Sequence, residues 1–182
     1  LIFGCWDTNV YALDILTGKH LWKTGLVKYW AYSPANCDPS TDGRNVYFTT
    51  IPMEENLPDL VCVDASAGNI KWAIRNPGKP FMGLGSIAVS GNDLYAANLP
   101  GEIFKLSAAD GKEIWRTALG QDAYACTPVV ENDTVYASSI WGEVFAFEAQ
   151  SGKKLWSYST GRGYLFASPV CKNGNIYISS MD

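Results

Sequence analysis

The sequence predicts an all-β fold, a β-propeller of four-stranded antiparallel blades, and three observations carry that expectation. One phrase recurs four times: "ALDILTGKHLW" ends at Trp22, "CVDASAGNIKW" at Trp72, "KLSAADGKEIW" at Trp115 and "AFEAQSGKKLW" at Trp156. The tryptophans are separated by 50 (22 to 72), 43 (72 to 115) and 41 (115 to 156) residues, a period shared by propeller blades and helical solenoids. The segments "NVYFTT", "DLYAAN", "TVYASS" and "NIYISS" decide between the two, being short, rich in β-branched and aromatic residues, and too brief for the helices of a helical repeat.

Each full unit parses into four strands, A to D. Strand A carries Ser33-Pro34, Ser86-Ile87, Thr127-Pro128 or Ser168-Pro169, and strand B holds Tyr47, Tyr95, Tyr136 or Tyr177. The A-to-B turns fall at Asp42-Gly43, Gly91-Asn92, Asn132-Asp133 and Asn173-Gly174. Strand C runs into the repeated phrase and strand D carries its tryptophan. A partial blade is expected at 1–25, complete blades at about 26–76, 77–119 and 120–160, and a second partial blade at 161–182, all in one propeller segment. Both ends fall inside blades, so the chain reads as a piece of a larger propeller, commonly of about four to eight blades. A lone four-stranded blade is not stable, so each must bury a face on the next.

The phrase itself reads as a latch. Gly18, Gly68, Gly111 and Gly152 stand at the C-to-D turn, where a positive φ suits glycine. Asp14, Asp64, Ser107 and Glu148 are placed to accept hydrogen bonds from turn amides. Trp22, Trp72, Trp115 and Trp156 then project from the outer strand, where an indole covers the neighbouring hairpin and donates its N–H to a backbone carbonyl. Four unrelated core tryptophans would not keep a fixed offset from glycine.

These residues, "VYALDILTGKHLW" and "SPVCKNGNIYISSMD" among them, resemble the pyrroloquinoline-quinone-type (PQQ-like) propeller repeat with its tryptophan-docking motif. The resemblance covers essentially the whole chain. It implies a bacterial protein that is a scaffold, a quinoprotein dehydrogenase, an outer-membrane assembly lipoprotein, or an accessory domain of a larger enzyme. It also points to an extracytoplasmic setting, periplasmic or lipoprotein, whereas five scattered cysteines lean toward a reducing compartment.

Composition narrows the function. With 182 residues the chain can bury roughly 70% of its unfolded surface without metals or disulfides. Fourteen Lys and Arg against 18 Asp and Glu give a net charge of −4 with no basic run, which argues against nucleic acid. No apolar stretch is long enough to span a bilayer as a helix. No catalytic residue, cofactor site or metal site is expected: the adjacent cysteines of the quinoprotein dehydrogenases are missing, His20 stands alone on a strand, and Glu54-Glu55 point apart in a loop. "GLGS" at Gly83 precedes a strand, unlike a phosphate loop, and Asn132-Asp133-Thr134 is a sequon placed in a turn. Up-and-down connectivity gathers the D-to-A and B-to-C loops on one face, with Trp6, Tyr29, Trp30, Phe81, Tyr124, Trp141, Arg162 and Tyr164. Aromatics mixed with Arg are what protein interfaces concentrate at their centres, so a protein partner is expected there; the alternative is that aromatics entering strand A plug the central channel of the propeller. Self-association through the incomplete end blades is a second expectation, because unpaired strand edges invite pairing.

Overall fold

The computed structural model describes residues 1–5, 7–25, 31–32, 38–52, 58–75, 85–98, 100–120, 126–161 and 167–179, with backbone alone at 31–32 and 51–52. Among them there are strands and turns and no helix. Two compact units divide the chain, Leu1–Met82 and Gly83–Asp182.

The first unit opens with β1 (Ile2–Gly4), β2 (Asn9–Leu13) and β3 (His20–Gly25), a three-stranded antiparallel meander. β4 (Ala31–Tyr32) comes next, then β5 (Ser40–Thr41), β6 (Asn45–Thr49), β7 (Ile51–Pro52), β8 (Leu60–Asp64) and β9 (Ile70–Ile74). Strands β5, β6, β8 and β9 form a four-stranded sheet in that order, while β4 pairs with β7 as a separate ribbon. Period-two alternation places Val46, Phe48, Val61 and Val63 on one face, and these pack with Val10, Ala12 and Trp22 of the first sheet. Each such side chain contributes roughly 1.5–3 kcal/mol by leaving water, which a single sheet cannot obtain alone.

The second unit repeats the plan with greater regularity. β10 (Ala88–Ser90), β11 (Asp93–Ala97), β12 (Glu102–Ser107) and β13 (Glu113–Ala118) form one sheet in chain order. β14 (Val129–Glu131), β15 (Thr134–Ser138), β16 (Glu143–Glu148) and β17 (Lys154–Ser159) form the next, and β18 (Val170–Lys172) pairs with β19 (Asn175–Tyr177). Tyr95 and Ile103 from one sheet and Val135, Ala137, Phe145, Phe147 and Ala149 from the other make the core between them.

One reading of the chain is corrected. The dipeptides at Ser86, Thr127 and Ser168 precede strand A, which begins at Ala88, Val129 and Val170. Pro128 and Pro169 have no N–H to give a ladder, and at all three places the Ser or Thr is used sideways instead: Ser86 N–H donates to Thr127 Oγ1 (2.8 Å), and Thr127 N–H donates to Ser168 Oγ (3.0 Å). The corresponding Ser33-Pro34 lies outside the described residues.

Candidate functional site

The repeated phrase builds its turn locally. Asp14 Oδ1 accepts from the N–H groups of Leu16 and Thr17, and Asp64 Oδ1 accepts from those of Ser66 and Ala67. These bonds hold the Asp64 carboxyl down to about 2, chiefly through the Ser66 hydroxyl, and lower that of Asp14, chiefly through the Thr17 hydroxyl. The turn closes with the glycine N–H donating four residues back, Gly18 to Asp14, Gly68 to Asp64, Gly111 to Ser107 and Gly152 to Glu148.

A β-bulge then aims the tryptophan. Register shifts in all four C-to-D hairpins, so that Leu21, Lys71, Ile114 and Leu155 are the extra residues, each immediately before its tryptophan. An extra residue twists the strand and re-aims the next side chain. Across the sheet the indoles sit beside strand-B tyrosines, Trp72 at 5.9 Å from Tyr47, Trp115 at 6.1 Å from Tyr95 and Trp156 at 6.0 Å from Tyr136.

Two tryptophans dock on the next hairpin of their own unit in the same way. Trp22 Nε1 donates to Ala65 O (2.9 Å) and the Thr24 hydroxyl donates to Gly68 O. Trp115 Nε1 donates to Ala149 O (3.0 Å) and the Thr117 hydroxyl donates to Gly152 O (2.7 Å). The glycine is required by closeness as well as by backbone: a Cβ on Gly68 would stand 2.5 Å from the Trp22 ring, and one on Gly152 2.5 Å from the Trp115 ring. Trp22 is only 7% exposed. Trp72 is half-buried on β9, and Gly111 takes φ +71° in its own turn. Trp156 and Gly18 differ. Trp156 is 43% exposed, and a Cβ on Gly18 would meet nothing within 4 Å among the described residues.

Of the loop-face residues, Trp6, Tyr29, Trp30, Phe81, Tyr124, Arg162 and Tyr164 lie outside the described residues. Trp141 is described, in the turn from β15 to β16, 51% exposed. That turn is held firmly: Ser139 N–H donates to Glu143 O (2.8 Å), and Thr160 N–H donates to Gly142 O (2.8 Å). Along β12 and β13, Arg116 lies over the Phe104 ring (4.5 Å) of its cross-strand partner and pairs with Glu102 (3.1 Å) and Glu113 (2.6 Å). The sequence reading missed this cluster, whose members are scattered between two strands without a motif.

Little reactive chemistry is assembled among the described residues. No group of three or more His, Cys, Asp or Glu is gathered to hold a metal. Burial pushes the Cys62 thiol up to about 12 and raises those of Cys126 and Cys171, which disfavours thiolates. His20 is exposed on β3, edge-on to Tyr11 (6.3 Å). Glu54, Glu55 and Gly83 lie outside the described residues. Asn132 and Asp133 take φ of +50° and +57°, a tight hairpin turn.

The profile of the family described as outer membrane protein assembly factor BamB matches residues 76–181. The chain belongs to this family. It is a PQQ-like β-propeller repeat protein, as the docking phrase implied. The crystal structure of BamB from Moraxella catarrhalis superposes with a TM-score of 0.77 over 98% of this chain at 17% identity, and shares the propeller fold. The serine/threonine-protein kinase AfsK of Streptomyces griseus is 34% identical over 118 residues, 62% of this chain. The chain spans 51% of the BamB structure and 14% of the kinase. No helix among the described residues is long and apolar enough to cross a membrane.

Proposed function

We propose that this propeller is a non-catalytic scaffold that binds protein partners through the face carrying its D-to-A and B-to-C loops. The observation that supports this most directly is Trp141, a large indole half in water on a turn pinned by backbone hydrogen bonds. A rigid aromatic anchor loses little entropy on binding, which is why interfaces favour it. Membership in a family described as an outer membrane protein assembly factor agrees with a binding role. In this reading the docked tryptophans Trp22 and Trp115 hold blades together within each unit, and the aromatic loops do the recognition. A photoreactive residue placed at 141 should yield discrete adducts with a partner protein in the native host. The same residue at Asn173, in an opposite-face turn, should yield none. Equal labelling from both sites, or no adduct from 141, would reject the reading.

A second reading comes from the kinase similarity: the propeller as an accessory domain of a larger enzyme chain, not a cofactor-bearing quinoprotein. A catalytic domain encoded in frame with this segment would establish it.

A further inference from the structure

Three dipeptides in the chain set an Asp or Asn before a glycine: Asp42-Gly43, Asp110-Gly111 and Asn173-Gly174. In such a pair the glycine nitrogen can attack the side-chain carbonyl carbon, because no Cβ on the glycine crowds the approach. The fold treats the three unequally. Gly43 N–H donates to Thr41 Oγ1 (2.9 Å) and Gly111 N–H donates to Ser107 O (2.8 Å), so both nitrogens are engaged. Their carboxyl groups are engaged as well. Asp42 accepts from the N–H groups of Arg44 (2.8 Å) and Asn45 (2.7 Å) and from the Tyr47 hydroxyl (2.8 Å), and Asp110 pairs with Lys112 (2.9 Å). Bonds of this kind keep a carboxyl ionised, and a carboxylate is a poor target for a nucleophile.

Asn173-Gly174 presents a neutral carboxamide instead. Among the described residues neither that carboxamide nor the Gly174 N–H has a hydrogen-bond partner, both residues are exposed, and a Cβ on Gly174 would meet nothing within 4 Å. Asn175 Nδ2 bonds only the Asn173 backbone carbonyl (3.4 Å). The exposure belongs to the repeat, since the corresponding turns at Asp42-Gly43, Gly91-Asn92 and Asn132-Asp133 also stand in water. There, however, Asn92 and Asn132 precede an aspartate, whose Cβ crowds the nitrogen.

We propose that Asn173 is a site of spontaneous succinimide formation, converting with time to aspartate and isoaspartate, and that the isoaspartyl form unpairs the β18–β19 hairpin. The Gly174 nitrogen loses its proton to hydroxide and bonds to Asn173 Cγ; the Cγ–Nδ2 bond breaks, and Nδ2 takes a proton from water and leaves as ammonia. Addition of water then opens the cyclic imide. Opening at Cγ gives aspartate, and opening at the main-chain carbonyl gives isoaspartate, whose chain runs on through Cγ with an added methylene. The attack requires the turn to leave its left-handed pair, φ +53° and +74°, and an exposed turn opens locally at small cost. A two-residue turn fixes register by its length, so the longer backbone undoes the pairing of Lys172 with Asn175 that closes it.

Mass spectrometry of peptides from the purified chain, aged at mildly alkaline pH and physiological temperature, tests this. Asn173 should exchange amide for acid at least about tenfold faster than Asn92 or Asn132, because glycine alone leaves the nitrogen uncrowded. An isoaspartyl methyltransferase should label position 173 and neither 42 nor 110. In the labelled form, amide hydrogen exchange should speed up across 170–177 and stay unchanged across 93–118. Gly174→Ala keeps the carboxamide and should slow conversion about tenfold. An Asn173 that stays intact for as long as the urea-unfolded chain takes to convert overturns the proposal. So does conversion of Asn92 or Asn132 at the same rate, a Gly174→Ala variant that ages like the parent, or unaltered exchange across 170–177 in the isoaspartyl form.

Discussion

Trp22 and Trp156 come from the same phrase at the same offset from glycine, and they end in opposite environments. Trp22 is 7% exposed, bonded to Ala65 O and seated on Gly68; Trp156 is 43% exposed and its hairpin surface faces water. The turns contrast likewise, since Gly68 is covered by an indole and Gly18 by no described residue. The difference teaches that the phrase encodes half of a contact. Its turn, cap and bulge form locally, whereas burial of the tryptophan depends on what stands opposite.

The largest effect should separate the two tryptophans. Trp22→Ala removes an indole from the core with Val46, Phe48 and Val61 and should cost about 3–5 kcal/mol in urea unfolding. Trp115→Ala, at a half-buried dock, should cost about 2–4 kcal/mol. Trp156→Ala, at an indole 43% exposed, should cost about 1 kcal/mol or less. Equal losses for Trp22 and Trp156 would erase the contrast.

Next come the glycines. Gly68→Ala puts a Cβ against the Trp22 ring at a left-handed residue and should cost about 3 kcal/mol, while Gly18→Ala meets only the backbone strain, about 1 kcal/mol. An equally large loss at Gly18 would erase the contrast between the covered and the open turn.

A smaller effect sharpens what is shared by the two ends. Asp64 and Asp42 are held at about 2, and Asp14 is also lowered, so all three carboxylates stay ionised in the fold below their unfolded range. A depressed carboxylate adds stability above its unfolded pKa that is lost as pH falls through the folded value, here from about 4 toward about 2. Asp14→Asn and Asp64→Asn should each flatten that acid limb of the stability curve. A flat response to Asp14→Asn alone would show that the terminal turn is not preformed.

The smallest stability change belongs to the loop face. Trp141→Ala should shift unfolding by about 1 kcal/mol or less while abolishing partner adducts from that turn. A loss as large as that of Trp115→Ala would make Trp141 packing instead of recognition.

The sequence by itself determined the all-β repeat, the glycine turn and, at Asp14 and Asp64, its carboxylate cap, because these depend on residues close together in the chain. Spacing alone therefore carried them. It was silent on the bulge before each tryptophan, since Leu21, Lys71, Ile114 and Leu155 carry no common bulge signal such as a glycine, only a place in a hairpin whose register must be seen. It misplaced strand A because Thr127-Pro128 looks strand-forming, while the Thr127 hydroxyl and amide bond to neighbouring blades about 41 residues away on either side. Between β12 and β13 the structure brings Arg116, Glu102 and Glu113 together, and of the eight aromatic and Arg residues singled out on the loop face it describes only Trp141. Four identical tryptophans looked equivalent in one dimension. Only the tertiary structure distinguished them, because burial belongs to pairs of surfaces, and whether an indole leaves water depends on a hairpin tens of residues further along.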